Sequence, residues 1–398
     1  MATTARVGTS NKVDSFAAGT AAAASALTAL AGLAPAVALV FASSDHDHDL
    51  LLDAIAKVVP DVPIVGCSGE GVIAHDESNE TLAAVAVMLI ASDRIRFQAF
   101  LIDDYGVDPA GAGARLATLV NAIGGDVRCL CVMPDGLVGN CSAMLDAVRA
   151  HLTQPLPIVG GAAADAMLFE RTYQYAEGRV VSGGLSALAI LGPVDIEVAV
   201  SHGCTPLGSE RAVTKSQGGW IHEIDGQPAW NLFKEYLGDD SEDLNAEGIV
   251  HLCLGETLRQ RDTGDNPYVI RTPMQLDKAT GAMFFPGGGL TEGGTIQLTR
   301  RDPDRIRSSA LECATRVGAS HPGRAPDLVL QFDCAGRGRI LWGGSAADEI
   351  VMPLRRVLGT AVPWIGFHTY GEIAPIAGRP YYHNYTVALC ALYERPAA

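Results

Sequence analysis

Residues 62–71 read VPIVGCSGEG, an apolar run that opens beside a proline and ends in a glycine turn. Similar stretches recur at 156–165 (LPIVGGAAAD) and 362–371 (VPWIGFHTYG). Proline has no N–H to donate and is therefore tolerated at the start of a strand. An apolar run of about four to eight residues bounded by turn residues is typical of a buried strand. The three stretches therefore predict three similar strand-and-turn elements.

Each of the three stretches lies within the same order of elements. An apolar strand and a helical pattern precede it, and a further apolar strand follows it. The first strands lie at 36–47, 127–136 and 327–338, the helices at 50–59, 143–152 and 349–359, and the last strands at 81–90, 184–193 and 384–393. Convergence on the same local rules is one explanation of the resemblance. The shared order favours duplication of one strand-helix-strand-turn-strand unit.

This organisation predicts an α/β protein with mixed β-sheets and flanking helices. Strands alternate with helices, but the last strand of each unit follows a loop or hairpin, so a purely parallel sheet is not expected. We expect an N-terminal helix region at 1–35, a first domain at 36–224 and a second at 225–398. No low-complexity linker marks the boundary near residue 225, so the two halves are expected to pack tightly.

Composition and charge restrict the classes of partner. Among 398 residues, 48% are hydrophobic and 19% charged, which favours a well-packed globular protein over a disordered one. The formal net charge of −16, with no basic patch, predicts that the protein binds neither nucleic acid nor an anionic membrane. Nine scattered cysteines without a CxxC pair are typical of reduced thiols and predict a cytoplasmic location.

The alanine-rich stretch Ala17–Ala34 is the one candidate for a targeting or membrane segment. Its alanine, glycine and threonine residues are weakly hydrophobic for insertion. Asp14 and Ser15 offer N-caps in front of the stretch and Pro35 closes it. We therefore expect a soluble helix that packs on a sheet.

Several segments, taken in order, resemble the FIST domain family with its N-terminal and C-terminal halves. They are LVFASSDHD with VPIVGCSGEG, PIVGGAAAD, SHGCTPLG with AVTKSQGGWIHEIDGQPAWNLF, DCAGRG, GFHTYGEIAP and HNYTVALCAL. The resemblance extends from about residue 14 to residue 393. It assigns 36–224 to the FIST N-terminal domain and 225–398 to the FIST C-terminal domain.

The resemblance implies a cytoplasmic sensory or ligand-binding module of bacterial signal transduction. Amino acids have been proposed as ligands of the family, and one bacterial branch resembles haem-binding nitric-oxide sensors. Members are often encoded near histidine kinases, chemotaxis-type receptors or cyclic-dinucleotide enzymes. The 398 residues show no kinase or cyclase segment of their own. We therefore expect a separate signalling partner, such as a histidine kinase or a cyclic-dinucleotide enzyme.

The first two glycine turns supply candidate ligand contacts. Cys67, Ser68 and Gly69 lie in GCSGEG, and Asp165 ends GGAAAD. Ligands usually bind at the carboxyl end of a sheet strand. The spacing of the first turn matches neither GxSxG nor GxGxxG, which disfavours a hydrolase elbow and a dinucleotide site. A tight turn filled with small residues and a turn that lines a ligand pocket both remain open.

The segment DCAGRG supplies two further candidates, Cys334 and Arg337. A guanidinium donates a fork of hydrogen bonds that suits the carboxylate of an amino acid or organic acid. A nearby cation would also lower the pKa of the Cys334 thiol and make it reactive. The alternative is a buried cysteine beside a surface arginine. His202 and Cys204, in the SHGC turn, are placed to reach a ligand at the junction of the halves.

The third unit contributes the remaining candidates. His368, Tyr370 and Glu372 lie at the third glycine turn, and His383 and Asn384 open the last strand. If the units share one geometry, these residues lie near the Cys334 turn. A thiol, an imidazole and a carboxylate together would resemble a cysteine-nucleophile site. His368 is either a specific ligand contact or an exposed variant.

The sequence also bears on whether the protein binds a metal ion or haem. The run DHDHD (45–49) lies between a strand and a helix, where capping and solvation are favoured over metal binding, so no metal site is expected. No CxxCH motif is present, which disfavours covalent haem. Non-covalent haem b needs one axial His, Cys or Tyr in an apolar pocket and stays open as a cofactor.

The leading hypothesis is a non-enzymatic sensor that holds an amino acid or organic acid at the glycine turns between the two halves. The alternatives are a haem-binding nitric-oxide sensor and an enzyme that uses Cys334 or Cys67 as nucleophile.

Overall fold

The computed structural model describes residues 2–238, 243–244, 252–258 and 268–396, and these form a mixed α/β protein. The strands up to residue 201 are β1 Thr4–Ser10, β2 Val37–Ser43, β3 Ile64–Gly69, β4 Val72–Ala74, β5 Glu77–Asn79, β6 Val85–Ala91, β7 Arg96–Ile102, β8 Val127–Pro134, β9 Ile158–Ala162, β10 Gln174–Ala176, β11 Arg179–Val181, β12 Leu185–Leu191 and β13 Val194–Ser201. The later strands are β14 Cys204–Gln217, β15 Trp220–Ile224, β16 Gln227–Pro228, β17 Leu252–Thr257, β18 Tyr268–Arg271, β19 Gln275–Asp277, β20 Ala282–Phe284, β21 Thr295–Arg301, β22 Leu328–Cys334, β23 Trp364–Thr369, β24 Gly371–Ile376, β25 Arg379–His383 and β26 Val387–Glu394.

The helices flank the sheets, as the alternating pattern of the sequence predicts. They are α1 Ser15–Ala29, α2 His48–Val58, α3 Pro109–Ile123, α4 Cys141–His151, α5 Trp230–Leu237, α6 Pro303–Ala319, α7 Arg339–Trp342, α8 Ala346–Ile350 and α9 Met352–Leu358, with 3-10 turns at Ala335–Arg337 and Gly343–Ser345. Asp14 accepts from the N–H of Ala17 at the start of α1, and Asp302 caps α6. No helix of the described residues has both the length and the hydropathy needed to span a membrane.

The same strand pairing occurs three times. The first strand of each unit pairs in parallel with the proline-started strand, and antiparallel with the last strand. The parallel pairs are β2 with β3, β8 with β9 and β22 with β23, and the antiparallel partners are β6, β12 and β26. The carbonyl groups of Pro63, Pro157 and Pro363 each accept a hydrogen bond from the first strand of the same unit. The prediction of mixed sheets is confirmed.

A β-hairpin after each proline-started strand crosses to a neighbouring unit. Hairpin β4–β5, which follows β3, pairs with β23. Hairpin β10–β11, which follows β9, pairs with β3. Hairpin β24–β25, which follows β23, pairs with β9. The exchange closes a ring of three units, and the turns from which the hairpins leave are thereby brought to one region.

The three sheets enclose a shared core, and helices cover their outer faces. The inner core joins side chains of all three sheets, including Phe41, Cys131 and Phe332. The rings of Phe41 and Phe367 stack with 4.6 Å between centroids. Helices α1 and α2 cover the first sheet, α3 and α4 the second, and α6 and α9 the third. Cys129 and Cys131, two residues apart on β8, both belong to the inner core.

A fourth sheet lies in the second half of the chain. Its strand order is β18-β17-β21-β14-β15-β20-β19, and β16 pairs with β15. Its apolar side chains form a separate cluster with α5, which includes Trp230 and Phe233. Arg271 and Thr272, at the end of β18, contact the segment that follows β25, because the N–H of Thr272 donates to Asn384 Oδ1 at 3.0 Å. The fourth sheet is thereby attached to the ring of three units.

Candidate functional site

Three side chains from the three glycine turns meet at one point. Glu70 follows β3, Asp165 follows β9 and Tyr370 follows β23. The hydroxyl of Tyr370 donates to Asp165 Oδ1 at 2.6 Å and lies 3.5 Å from Glu70 Oε2. The N–H of Met167 donates to Glu70 Oε2 at 2.7 Å. The ring of units therefore brings the turns together, as the shared geometry of the units predicts.

Residues 165–169, which we call the Asp165 loop, are held by these contacts in an uncommon backbone conformation. Ala166, Met167 and Phe169 all have φ between 55° and 57°. Residues other than glycine rarely adopt this left-handed region, and such residues persist where the surroundings fix them. The carboxylate of Asp165 accepts from the N–H groups of Phe169, Glu170 and Arg171. Asp165 therefore orders the loop through its backbone, in addition to bonding Tyr370.

A cavity of about 530 Å³ lies beside the Asp165 loop. Residues on the N-terminal side of residue 225 supply one wall, with Gly136, Leu137, Met167 and Phe169. Residues on the C-terminal side supply the other, among them Met274, Phe284, Cys334, Ile340, Tyr370 and Tyr385. The rings of Phe169 and Tyr370 stack across the junction with 5.3 Å between centroids. The cavity is therefore lined by residues from both sides of the predicted boundary near residue 225.

A small group of polar side chains lines one part of this apolar cavity. Thr272 lines the cavity, and its Oγ1 is buried without a hydrogen-bond partner among the described residues. Asn384 also lines the cavity, and its amide donates to the carbonyl of Tyr370 at 3.1 Å. Because Asn384 also accepts a hydrogen bond from the N–H of Thr272, its side chain links the backbone of Thr272 to that of Tyr370. The wall at Thr272 thus contains a buried hydroxyl whose bonding capacity is unused within the described part of the chain.

The first turn supports the site without lining the cavity. Cys67 lies in the inner core, and burial raises the pKa of its thiol well above the usual value. Ser68 Oγ donates to the carbonyl of Ala164 at 2.8 Å and accepts from the N–H of Tyr173. A side chain at Gly69 would lie about 3.1 Å from Phe367. None of these three is among the described residues that line the cavity, so they act as a tight structural junction.

Cys334 lines the cavity, and its surroundings disfavour the thiolate form of its side chain. Its side chain is buried, and burial raises the pKa of the thiol well above the usual value, with a further increase from the carboxyl of Glu372. A cation beside this thiol was expected to lower its pKa. The structure contradicts that expectation, because burial outweighs the nearby charge of Arg301.

Arg337 is buried, and the alternative of a surface arginine is wrong. Its Nε donates to Asp333 Oδ1 at 2.8 Å, and both side chains are fully inaccessible. Its Nη1 and Nη2 have no hydrogen-bond partner among the described residues. Arg337 is not one of the described residues that line the cavity. The guanidinium expected to bind a ligand carboxylate is therefore used within the protein interior.

Three predicted histidines also lie inside the protein. His202 Nδ1 accepts from the N–H of Cys204, and burial, followed by the charge of Arg337, lowers its pKa to about 4. His368 Nε2 lies 2.8 Å from Ser78 Oγ, so the exposed alternative for this residue is wrong. His383 Nε2 lies 3.1 Å from the carbonyl of Ala374, and burial lowers its pKa to about 3.

Glu372 is buried beside Cys334 but does not complete a catalytic triad. Burial raises the pKa of Glu372 to about 8. Its carboxyl group accepts from the N–H of Thr386 and from the hydroxyls of Thr369 and Thr386. Because His383 bonds Ala374 and not the thiol, the structure does not assemble the predicted sequence of thiol, imidazole and carboxylate.

In the DHDHD run, one aspartate caps a helix and both histidines are buried. Asp47 caps α2 by accepting from the N–H of Leu50, as predicted. His46 and His48 are buried, so their predicted solvation is wrong. His48 packs against Tyr173 with 4.2 Å between ring centroids, and burial lowers its pKa to about 3. Over the described ranges, no three side chains of His, Cys, Asp or Glu are grouped to hold a metal ion.

Two important residues were not singled out from the sequence. Glu70 is part of the quoted GCSGEG turn, and it stands seven residues after the proline of its unit, as Tyr370 does, which is the sequence signal that marks it. Burial raises the pKa of Glu70 to about 8, with smaller contributions from Glu80 and Asp165. Thr272 carried no comparable signal, because a threonine at the end of a short strand is common.

Two curated relatives of this chain are uncharacterized proteins, and one solved structure resembles it at low identity. An uncharacterized protein of Mycobacterium tuberculosis (strain H37Rv) is 29% identical over 398 residues, which cover 98% of this chain and 99% of that protein. An uncharacterized protein of Methanocaldococcus jannaschii is 24% identical over 213 residues, which cover 50% of this chain and 41% of that protein. Among solved structures, cyanuric acid hydrolase from A. caulinodans aligns over the whole of both chains with 9% identity and a TM-score of 0.38.

Family models identify both halves of the chain. The FIST N domain matches residues 36–227, and the FIST C domain matches residues 229–375. The two matches are consecutive and together cover most of the sequence. The chain therefore belongs to the FIST family, with a FIST N domain followed by a FIST C domain.

Proposed function

We propose that this protein is a sensory protein that binds a small molecule in the cavity between its two halves and passes the signal to a separate partner. FIST domains are associated with sensory signal transduction. The observation that carries the proposal is the 530 Å³ cavity, which is lined from both halves. This volume lies within the range of about 300–1,000 Å³ that is usual for small-molecule sites.

The Asp165 loop gives the cavity a route to the rest of the protein. Met167 and Phe169 line the cavity, and the same loop is bonded to Glu70 and Tyr370 of the other two units. A ligand that contacts Phe169 more favourably in one loop conformation shifts the population of that conformation, because only differential affinity can shift an equilibrium. The partner classes expected from the sequence, a histidine kinase or a cyclic-dinucleotide enzyme, remain our proposal for the receiver of this change.

The haem alternative finds little support in the cavity wall. None of the cavity-lining residues that the structure describes is a histidine. Cys334 and Tyr370 line the cavity, but burial raises the pKa of both groups and disfavours the anions that bind haem iron. We therefore do not assign a haem site to these residues.

The cysteine-enzyme alternative likewise lacks a reactive group. The thiolate is the nucleophilic form of cysteine, and a raised pKa reduces its population at neutral pH. Burial raises the pKa of both Cys334 and Cys67. A binding role for the cavity is therefore favoured over nucleophilic catalysis.

The proposal can be tested by thermal-shift screening of a small-molecule library. The screen is repeated with a variant in which a larger side chain fills the cavity. Met274 lines the cavity and is half-buried, so Met274→Trp is expected to reduce the free volume while preserving the fold. A compound that binds the native cavity should raise the melting temperature of the original chain and not that of Met274→Trp. Leu119→Trp adds the same side chain at an exposed position of α3 and should preserve the shift. Shifts that persist in Met274→Trp, or a library without any shift, would count against the proposed function.

A further inference from the structure

We infer that the cavity takes an uncharged, largely apolar molecule that carries an aromatic ring and a hydrogen-bonding group. This inference rests on the proposed function and specifies its ligand class. None of the cavity-lining residues within the described part of the chain is Lys, Arg, His, Asp or Glu. A charge brought into such a site loses its hydration without gaining a counter-ion, which is strongly unfavourable. The wall therefore discriminates against organic acids and against zwitterionic amino acids.

The position of Arg337 strengthens this argument. Arg337 follows the cavity-lining residues Cys334, Ala335 and Gly336 directly in sequence, yet its side chain is fully buried and bonded to Asp333. Only Nε of Arg337 bonds Asp333, and Nη1 and Nη2 have no partner among the described residues. The side chain is nevertheless not one of the described residues that line the cavity, so it supplies no counter-ion at the cavity wall. The cation nearest in sequence is thus buried behind the wall.

Aromatic and thioether side chains define what the wall attracts. Phe169, Phe284, Tyr370 and Tyr385 all line the cavity, and Met167 and Met274 add flexible apolar surface. Aromatic rings favour offset-stacked or edge-to-face contact with another ring. Phe169 already stacks on Tyr370 with an interplanar angle of 23°, and this pair provides a flat apolar surface at the cavity. A planar aromatic ligand matches this wall better than a branched polar one.

Thr272 supplies the polar contact that gives the ligand its orientation. The residue is 7% exposed, it lines the cavity, and its Oγ1 has no partner among the described residues. A buried hydroxyl without a partner is unfavourable, and a hydroxyl can both donate and accept. The hydroxyl oxygen itself is buried in the wall, and the neighbouring Asn384 holds the backbone of Thr272, so a rotation of the Thr272 side chain is the movement that turns the hydroxyl toward the ligand. A neutral group on the ligand, such as an amide or a hydroxyl, satisfies Thr272 without introducing a charge.

Three probes of one shape and different charge test the ligand class. The neutral 2-naphthamide, the anionic 2-naphthoate and the cationic 2-naphthamidine share one ring system, and their dissociation constants can be measured by calorimetry with the full chain. We expect 2-naphthamide to bind at least about tenfold more tightly than either charged probe, because each charge must be desolvated without a counter-ion. Equal affinity for the three probes, or preference for 2-naphthoate, would overturn the ligand class and leave the proposed function intact.

A matched substitution tests the role of Thr272. Thr272→Val removes the hydroxyl, keeps the shape and retains the backbone N–H that donates to Asn384. The variant should bind 2-naphthamide about threefold to tenfold more weakly. Its affinity for unsubstituted naphthalene should be unchanged, since only the amide uses the hydroxyl. Thr118→Val, on the exposed face of α3, should change neither affinity. An equal loss for both probes, or no loss for 2-naphthamide, would overturn the assignment.

The ligand class and the proposed function can each be wrong without the other. If none of the naphthalene probes binds, the ligand class is wrong, and the comparison of the library screen between the original chain and Met274→Trp still decides the proposed function. If 2-naphthamide binds with unchanged affinity to Met274→Trp, its site is elsewhere, and the inference about this cavity is overturned.

Discussion

The hydroxyl of Tyr370 donates to Asp165 Oδ1 at 2.6 Å, and this bond joins the glycine turns of two units across 205 positions of sequence. Glu70 of the remaining unit lies 3.5 Å from the same hydroxyl. The bond is central because Tyr370 lines the cavity while Asp165 orders the backbone of the Asp165 loop. One interaction thus connects the cavity wall with the Asp165 loop.

Tyr370→Phe is expected to destabilise the protein by about 1–3 kcal/mol, since a hydrogen bond to a charged group is lost in a largely buried place. The stacking of the ring on Phe169 is retained in this variant. Urea denaturation measures the free energy of unfolding, and proteolysis at the Asp165 loop should become faster because the loop loses one of its bonds.

Tyr236→Phe is the matched control, since Tyr236 is 42% exposed and the substitution should change stability by less than about 0.5 kcal/mol. If both variants show the same stability and the same rate of proteolysis, Tyr370 does not hold the loop.

The repeated units were predictable because each depends on local rules. Proline-started apolar runs, glycine turns and helical periodicity lie close together in sequence, and they led to the mixed sheets that the structure shows. The exchange of hairpins among units was not predictable in this way. Pairings such as β4 with β23 join residues almost 300 positions apart, and short strands carry no sequence signal for their partner.

The candidate site was predicted in part, for a related reason. Cys334, Tyr370 and Asn384 line the cavity, as their positions at repeated strand ends suggested. Arg337, His368 and His383 carry the same polar chemistry but are bonded to Asp333, Ser78 and Ala374 in the interior. A polar residue at a strand end has the same appearance in sequence whether its partner is a ligand or another buried group. The apolar wall, including Phe169 and Phe284, has no polar motif that could reveal it.

Glu70 should make stability depend on pH above neutrality. Burial raises its pKa to about 8 from an ordinary value of 4.5, so between these values the folded chain holds a proton that the unfolded chain releases. The contribution of Glu70 is fully present below pH 4.5 and is lost as the pH rises toward 8. Glu372 should make stability depend on pH in the same direction, since burial also raises its pKa to about 8. We therefore expect the free energy of unfolding to fall between pH 6.5 and pH 8.

Glu70→Gln tests this assignment because the amide stays neutral and its oxygen still accepts from the N–H of Met167. The variant should show a smaller decrease of stability from pH 6.5 to pH 8 in urea denaturation, and Glu312→Gln, at an exposed position of α6, should keep the original decrease. The pKa values of the buried His48 and His383 are lowered to about 3. Below pH 6.5 these histidines make stability rise with pH, which opposes the effect of the glutamates. The range from pH 6.5 to pH 8 is therefore the informative one. An unchanged decrease in Glu70→Gln would show that Glu70 ionises normally in the folded protein.

The nine cysteines should resist alkylation in the folded protein. All nine thiols are free and buried, and burial raises the pKa of Cys67 and Cys334 in particular. Treatment with iodoacetamide at pH 7, followed by mass spectrometry, should therefore label no cysteine as fast as a free thiol, whereas all nine should react after denaturation. Rapid and selective labelling of Cys334 would restore the hypothesis of an activated nucleophile.

The buried pair of Arg337 and Asp333 should be far more costly to break than an exposed pair. Both side chains are fully inaccessible, and Asp333 also accepts from Gln331 Nε2 at 2.9 Å. Asp333→Asn should destabilise the chain by about 3–5 kcal/mol, because it leaves the Arg337 guanidinium as an uncompensated charge in the interior. Arg337→Met should be similarly costly, since it leaves the Asp333 carboxylate without its cation.

The double variant Arg337→Met/Asp333→Asn separates loss of the pair from the penalty of a stranded charge. Because it removes both charges, its destabilisation should be smaller than the sum of the two single variants in urea denaturation. Arg115→Met, which removes the cation of the exposed pair with Asp104, should cost no more than about 1 kcal/mol. Additive losses in the double variant would show that Arg337 and Asp333 are not coupled in the folded protein.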